Sequence, residues 1–493
     1  MALAGDGGLA INGGNLTISN GGTFGGVTSG ALGNLTLTGG TLTLTGANTF
    51  TGLTTINSGA VMQVGAGGTT GSVAGPIADN GTLSFNRSDN VALTGAVSGS
   101  GELHQDGAGT LFINSSVGVT GPVVINSGTV SIGDGTTDGS VAGNIVNNSA
   151  LQFNRSDWRY GGVISGAGTV EQVSGSQTTL TAANTYSGAT TVSAGTLNAA
   201  NVAALGSSAA TVKSGATLAL SFANGTFGNA VDNNGVLNIS GAGNTLTTDI
   251  TGTGTNRISA LQTTIAGDNS GFNGSWDITG SGGATVTAQE NLGGSPVQLN
   301  GILNVSPASG GFTFINALTG SGLLAATMGS ISDAFNFAAT AGNAFNGIVA
   351  LRRGTMALEG DNTSALANAT LSLGIGAIAT LNSDQTIGNL TFNGGLLDVA
   401  MSTPSSANIL TVNNLNVDSA VTPPDVGVVN LQTTSLPPGT KPDGNFLDQD
   451  NEVDNGIQLM KATTVSSEGT HLTLLLDGAA PADETDEVSD GFG

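Results

Sequence analysis

Apolar and polar residues alternate in short runs along most of the chain. In Leu35-Thr36-Leu37 and Thr41-Leu42-Thr43-Leu44, leucine occupies every second position and threonine the positions between. Successive side chains of a β-strand point to opposite faces, so this alternation predicts half-buried strands. Gly and Asn accept positive φ and stand between the runs, as at Ser58-Gly59 and Asn80-Gly81. The pattern therefore predicts an all-β protein of short strands joined by turns.

A long internal repeat groups these strands. The run Phe85-Asn-Arg-Ser-Asp89 returns 68 positions later as Phe153-Asn-Arg-Ser-Asp157. A shorter spacing of 22 separates Ser58-Gly59 from Asn80-Gly81, so three coils of about 22 residues would make up the longer period. We expect a single right-handed parallel β-helix (solenoid) of about 20 coils of about 22 residues, because stacked coils pair every strand with its equivalents in the neighbouring coils.

The chain can be divided by how closely the copies of the repeat match one another. Repeats are clear over 40–200 and drift over 201–420, and the whole of 1–420 is expected to be β-helix. Residues 421–478 contain paired prolines and closely spaced Asp, with strand patterns at 456–461 and 471–476, which suits final coils or a cap. Residues 479–493 are predicted to be an acidic, disordered tail.

Composition narrows the class of protein. Gly contributes 81 residues and charged residues only 9%, yet 38% of the chain is hydrophobic, which argues against disorder. With 9 Lys+Arg against 33 Asp+Glu, the chain would repel nucleic acid, so no nucleic-acid partner is expected. No Cys is present, which excludes disulfides, thiol chemistry and Cys-ligated metals.

Residues 40–59, with copies at 107–132 and 175–197, closely resemble the passenger-associated β-strand repeat of autotransporters. The run from Phe85 to Asp89, followed by Gly95–Gly101, is similar to the coil that links such repeats. Segments from Gly360 to Phe392 and from Leu447 onward resemble the distal part of AIDA-like and pertactin-like passengers. The resemblance implies a passenger domain of β-helix architecture.

The resemblance also implies a location. Such passengers are exported through the periplasm to the bacterial cell surface, and an outer-membrane β-barrel anchors them or they are released. Such a barrel consists of alternating strands of about ten residues, which the present sequence does not contain. We therefore expect the barrel in a full-length precursor. The family includes adhesins, self-aggregating proteins of biofilms and virulence, and a minority of enzymes, so the resemblance fixes architecture better than activity.

Little in the sequence points to catalysis. Only two histidines, His104 and His471, are available as a base, and Asp268-Asn269-Ser270-Gly271 resembles a turn more than a protease nucleophile loop. Asp448, Asp450, Glu452 and Asp454 suggest calcium, but Val453 stands where an EF-hand requires Gly. We expect no enzyme activity, no metal and no cofactor.

One cluster is a candidate glycan-binding patch, in which an indole would stack on a sugar and charged groups would bind hydroxyls. Two members, Arg87 and Asp89, are expected about three coils away on the same face as the others. The alternative is that Phe85 and Phe153 are core and that the Arg and Asp side chains form solvated pairs. The candidate residues are Arg87, Asp89, Arg155, Asp157, Trp158, Arg159 and Tyr160.

Adhesion or self-association through extended Thr/Asn-rich faces is the leading functional hypothesis. Expected partners are a second copy of the chain, or a host-cell, extracellular-matrix or glycan surface. A carbohydrate-active or glycan-binding passenger is the alternative, and an inert spacer is a further one.

Overall fold

The computed structural model is all-β, with parallel strands stacked as a β-solenoid of about 19 turns. It describes residues 1–338, 341–342, 344–359, 366–403, 406–407, 410–417, 427–433, 447–448 and 471–476. Contacts between Cα atoms divide the chain into two units, residues 1–241 with 250–255, and residues 242–249 with 256–493. In this part of the chain the only helical element is a 3-10 turn, Gln289–Asn291. The expected fold class is confirmed.

The first unit forms a three-sided coil. The first side contains strands Asn15–Ile18, Asn34–Leu37, Thr54–Ile56, Ile77–Asp79, Val97–Gly99, Ser116–Val119 and Ser140–Val141. The second side contains Gly22–Phe24, Thr41–Leu44, Val61–Val64, Thr82–Phe85, Glu102–Gln105, Val123–Ile125, Ile145–Asn147 and Ile164–Ser165. The third side contains Val91–Leu93, Thr110–Ile113, Thr129–Ile132, Ala150–Phe153, Thr169–Gln172, Thr190–Val192, Ala210–Val212, Val231–Asn233 and Ile250–Thr251.

From residue 158 onward, the strand that follows each third-side strand along the chain belongs to a further sheet instead of the first side. In this unit that sheet contains Trp158–Tyr160, Gln177–Leu180, Thr196–Ala199, Thr217–Leu220 and Val236–Ile239. Thr226–Phe227 lies in the same unit, and Leu9–Ala10 pairs with Thr28–Ser29.

Several coils are slightly shorter than the expected 22 residues. On the second side Leu83 pairs in register with Leu103, Leu103 with Val123, and Val123 with Ile145, at spacings of 20, 20 and 22 positions. These four side chains are 0% exposed and form one apolar stack inside the coil. Because inward positions alternate with outward ones, each coil adds a layer to a continuous core.

The shorter coil changes how the 68-residue repeat is arranged. Phe85 ends a strand of the second side, whereas Phe153, its equivalent in the repeat, ends a strand of the third side. Sixty-eight residues therefore span three coils and one further side, so each copy is rotated by one side relative to the preceding copy. The expectation that three whole coils make up the period is wrong.

Buried asparagines connect neighbouring coils where the motif Ala-Asn-Thr-Phe/Tyr forms no strand. Asn48 accepts a hydrogen bond from the Thr28 amide at 2.8 Å, and its Nδ2 donates to Ser72 O at 3.0 Å. Asn184, its equivalent, accepts from the Ile164 amide at 2.8 Å and donates to Ala204 O at 2.6 Å. The side-chain amide therefore replaces ladder hydrogen bonds at this corner.

The second unit also contains parallel strands that pair coil to coil. One sheet contains Thr255–Ile258, Ser275–Ile278, Val297–Leu299, Leu318–Gly320 and Ala344–Phe345. Another contains Thr245–Leu246, Thr263–Ile265, Gly283–Val286, Ile302–Val305, Leu323–Thr327, Ile348–Leu358, Thr370–Gly374, Gln385–Asn393, Leu410–Val417 and Leu447–Asp448. Alongside these lie Ala377–Leu381, Leu396–Thr403, Ser406–Ala407, Gly427–Thr433 and His471–Leu476, and Phe312–Phe314 pairs with Phe335–Phe337.

The predicted strand 471–476 is present as His471–Leu476, antiparallel to Gly427–Thr433. Its expected partner at 456–461, the carboxylates from Asp450 to Asp454 and the predicted tail 479–493 lie outside the described residues.

Candidate functional site

Arg87 of the candidate patch holds a protruding loop. Its guanidinium donates to Thr69 O at 2.7 Å and to Gly71 O at 2.6 Å, both in the loop that leaves the preceding coil. It also donates from Nε and Nη2 to the two carboxylate oxygens of Asp89, at 2.9 and 2.7 Å. This charge-assisted hydrogen bonding lowers the pKa of Asp89 below its ordinary value. Arg87 is 14% exposed, so its head group is largely committed to this intramolecular contact.

Arg155 occupies the equivalent place in the next copy. Its Nη1 donates to Gly139 O, which stands 68 positions after Gly71. The guanidinium also lies 3.7 Å from the Asp138 carboxylate, which accepts a hydrogen bond from the Ser156 amide at 2.9 Å. The repeated arginine therefore fastens a loop of the preceding coil in both copies, which accounts for its recurrence in structural terms.

Trp158 and Tyr160 pack onto the same corner. The Arg155 Cζ lies 5.1 Å from the centroid of the Trp158 ring, at cation–π distance. The Trp158 centroid is 5.0 Å from that of Tyr160 and 6.0 Å from that of Phe153. Tyr160 is 2% exposed, its hydroxyl donates to Gly143 O at 2.7 Å, and burial raises the pKa of that hydroxyl. The indole is thus part of an intramolecular aromatic cluster.

Two members of the patch face outward. Arg159 is exposed between Trp158 and Tyr160, and Asp157 is exposed and accepts a hydrogen bond from the Gln177 amide at 2.8 Å. Arg87 follows a strand of the second side whereas Arg155 follows one of the third side, so the two arginines occupy different corners. The prediction of one common face is wrong, because the 68-residue repeat is not a whole number of coils.

The residues considered for catalysis have structural partners. His104 lies 2.8 Å from the Glu102 carboxylate, two positions away on the same strand. Asp268 accepts a hydrogen bond from the Ser270 amide at 2.9 Å, which lowers the pKa of Asp268. Asn269 is 0% exposed, and its Nδ2 donates to Asn291 O at 2.6 Å. The Asp268–Ser270 segment is therefore a turn anchored by a buried asparagine.

Among the described residues, no three His, Asp or Glu side chains gather in a way that could hold a metal ion. Asp134, in the second protruding loop, accepts from the Thr136 and Thr137 amides at 2.8 and 2.7 Å and from Asn114 Nδ2 at 2.7 Å. The Thr136 hydroxyl also donates to Asp134, at 2.7 Å, and this hydroxyl together with the other donors lowers the pKa of Asp134. Within the same part of the chain, helices of the length and hydropathy that a bilayer span requires are absent.

Sequence reasoning missed a buried carboxyl at the end of strand Ile77–Asp79. Asp79 is 0% exposed; one of its oxygens accepts from the Gly81 amide at 3.0 Å, and the other has no hydrogen-bond partner. Burial raises the pKa of Asp79 to about 6. A comparison of the repeats could have found it, because Asn147 stands 68 positions later.

The outward surface of the first side is built of small side chains. Thr17, Thr36, Thr55, Ala78, Ser98 and Gly118 pair in register on six successive strands. Asn15 and Asn34 stand beside the first two, and the amide of Asn34 donates to Asn15 Oδ1 at 2.9 Å. At a strand spacing of about 4.8 Å, this row extends over roughly 24 Å without a side chain larger than Thr. We call this row of six residues the small-residue face.

Three segments match the passenger-associated-transport-repeat, at residues 39–62, 103–132 and 175–199. The chain is 30% identical over 241 residues to uncharacterized protein YuaQ of Escherichia coli, an alignment covering 47% of this chain and 17% of YuaQ. It is 29% identical over 224 residues to uncharacterized lipoprotein YdeK of the same organism, covering 40% of this chain and 16% of YdeK. It is 38% identical over 118 residues to the adhesin BmaC autotransporter of Brucella suis, covering 24% of this chain and 4% of BmaC.

The chain thus spans less than a fifth of the length of each of these relatives. No solved structure matches it.

Proposed function

The chain carries autotransporter passenger repeats on a β-solenoid, and from this premise we propose that it is a surface-exposed or secreted passenger that mediates adhesion or self-association. The small-residue face carries the proposal. A flat row of Thr, Ser, Ala and Gly side chains lets a second surface approach closely, and the Thr and Ser hydroxyls supply donors and acceptors. The match to part of an adhesin autotransporter supports the same role.

Many weak contacts along a periodic face can act together. Each hydroxyl contact contributes little by itself, but contacts repeated coil after coil are made simultaneously once two faces are aligned. Such binding tolerates the loss of one hydroxyl and is sensitive to a bulky charge in the middle of the row. The proposed role is non-catalytic.

The test displays the chain on bacteria and measures cell settling and adhesion to surfaces. Thr36→Lys and Ser98→Lys place long charged side chains on the small-residue face, and both positions point outward, so the coil should remain folded. Thr211→Lys, outward on the third side, is the matched control. Slower settling or weaker adhesion with the first two variants and not with the control would support the proposal. Equal behaviour of all variants, or no aggregation or adhesion by the parent chain, would refute it.

Glycan binding is a second candidate, favoured by Arg159 and Asp157, which are both exposed and stand two positions apart in the sequence. Its test is binding of the purified chain to an array of glycans, with Arg159→Gln as the variant. Loss of binding in Arg159→Gln supports this role, and no binding of the parent chain across the array removes it. A chain that is inert in both tests would be a spacer.

A further inference from the structure

A β-bulge turns two adjacent arginines outward in the second unit. In the pairing of Leu323–Thr327 with Ile348–Leu358, Ala326 aligns with Leu351 but Thr327 aligns with Arg353, which leaves Arg352 as the extra residue. Both Arg352 and Arg353 are exposed, although successive residues of a regular strand face opposite ways. The bulge therefore presents two guanidinium groups on one face.

These two cations have no partner within the described structure. Arg87, Arg155 and Arg257 each form an ion pair, whereas neither Arg352 nor Arg353 forms an ion pair or a side-chain hydrogen bond there. The whole chain has only 9 Lys+Arg for 33 Asp+Glu, and this is its one pair of adjacent basic residues. An unpaired dibasic site in so acidic a chain is suited to an anionic occupant.

Exposed isoleucines flank the pair. Ile331 and Ile375 are 56% and 68% exposed. Gly376, the residue after Ile375, lies beside both Ile331 and Arg353. A Cβ added at Gly376 would be 3.7 Å from Ile331 Cγ2 and 4.0 Å from Arg353 Cγ, so these two side chains lie next to the same turn. We call Ile331, Arg352, Arg353 and Ile375 the dibasic patch.

The strand register brings the last described strand to the edge of the sheet where this patch lies. Gly354 pairs with Ala377, and the next residue along, Ile378, pairs with Leu396. Leu396 pairs with Val428, and Gly427 pairs with Leu476. Leu476 therefore occupies the same ladder row as Gly354, four strands away, a distance of about 19 Å.

The direction of the last strand matters as much as its register. His471–Leu476 is antiparallel to its neighbour, whereas the other strands of this path are parallel. Leu476 therefore ends the last described strand at the edge where the parallel strands begin, which is the edge of Arg353.

The sequence after Leu476 is strongly acidic. It contains Asp477, Asp483, Glu484, Asp486, Glu487 and Asp490 and no Lys or Arg. At about 3.3 Å per extended residue, Asp483 can reach roughly 23 Å from Leu476, which exceeds the distance to Arg353. Charge, length and point of departure all fit one occupant.

We propose that the acidic segment 483–490 binds back onto the dibasic patch of the same chain, with its carboxylates on Arg352 and Arg353. Single exposed ion pairs are weak, but tethering holds the segment at a high effective concentration, and two adjacent guanidinium groups can engage several carboxylates. Because these charges are at the surface, binding should weaken as ionic strength rises.

The absence of Cys from the chain makes a direct distance measurement simple. Spin labels at Ile331→Cys and Ala482→Cys in the full chain would report the separation by pulsed electron paramagnetic resonance. We expect a short-distance population at low salt that shrinks at high salt and is largely lost in R352Q/R353Q. Arg159→Gln, which also removes an exposed arginine, is the matched control and should leave the distances unchanged.

Two outcomes would overturn the proposal: no short-distance population at low salt, or one that survives R352Q/R353Q. Mixing chains that each carry one label separates binding within a chain from binding between chains, and short distances found only between chains would also reject it. Trypsin provides a second readout, since cleavage after Arg352 and Arg353 should accelerate several-fold when the acidic residues from Asp483 to Asp490 are changed to Asn and Gln. Unchanged cleavage would contradict the proposal.

Discussion

The buried carboxyl of Asp79 is the repeat equivalent of the Asn147 amide, which stands 68 positions later and one side further round the coil. Asn147 accepts from the Ser149 amide at 3.2 Å and donates from Nδ2 to Thr169 O in the next coil at 2.8 Å. Asn233 repeats this pattern with the Gly235 amide at 3.1 Å and with Thr255 O at 3.0 Å. Asp79 accepts from Gly81 but, when ionised, has no proton to donate to the next coil.

Asp79→Asn should therefore stabilise the protein at neutral pH. Burial raises the pKa of Asp79 to about 6, so the folded state binds the proton more tightly than the unfolded state does. The parent chain should lose stability as the pH rises from about 4 through about 6, by up to about 3 kcal/mol from this group. The melting temperature of Asp79→Asn should exceed that of the parent at pH 8, and the difference should shrink at pH 5.

The reverse change, Asn147→Asp, is the matched control, and it should destabilise the chain at pH 8 and less so at pH 5. His104 and Glu102 are the other titratable groups whose charges act on Asp79, so Glu102→Gln should be included to separate their contribution. A melting temperature of Asp79→Asn at or below that of the parent at pH 8 would contradict the assignment.

Arg87→Gln should loosen the loop at residues 65–72. The substitution removes the charge-assisted hydrogen bonds to Thr69 O and Gly71 O, and the loss of these two bonds should cost about 1–3 kcal/mol. Hydrogen exchange of the loop amides should accelerate in the variant. Arg159→Gln, at an exposed position of the repeat's other copy, should leave that exchange unchanged. Equal exchange in Arg87→Gln and the parent would show that the arginine does not fasten the loop.

Asn184→Ala should destabilise the coil around it by about 1–3 kcal/mol, because it leaves the Ile164 amide and Ala204 O without their side-chain partners in a buried site. Asn15→Ala removes an amide that is exposed and bonded to one neighbouring asparagine, so its effect should be within about 0.5 kcal/mol. Thermal melting of both variants checks the difference, and similar melting temperatures would argue against the asparagine as a bridge between coils.

Gly128→Ala should cost more stability than Gly59→Ala, although the two glycines occupy the same turn of the repeat. Both have positive φ, 62° at Gly128 and 78° at Gly59, so alanine is strained at either position by about 1 kcal/mol. A Cβ at Gly128 would also lie 2.3 Å from Gly109 O and 2.4 Å from Gly107 O, whereas nothing lies within 4 Å at Gly59. Chemical denaturation should rank the variants in this order, and equal losses would contradict the close contact at Gly128.

The sequence by itself determined the class of fold and its local rules. Alternation in Thr41–Leu44 requires a strand with one buried face, and the Ser-Gly turns require positive φ, as found at Gly59 and Gly128. These are properties of neighbouring residues and need no knowledge of distant ones. The repeat was sufficient to predict a solenoid, and the resemblance of its copies to autotransporter passenger repeats agrees with three matching segments.

Only the tertiary structure decided how the repeats are placed around the coil. The number of residues per turn depends on corner loops whose length alternation does not constrain, so the one-side rotation between Phe85 and Phe153 was not predictable. That rotation separates Arg87 from Arg155, and the loop carbonyls that their guanidinium groups bind lie 16 to 18 positions earlier in the chain. Likewise, a register shift against a neighbouring strand, and not the local sequence, places Arg352 and Arg353 on one face, because register is a property of two strands together.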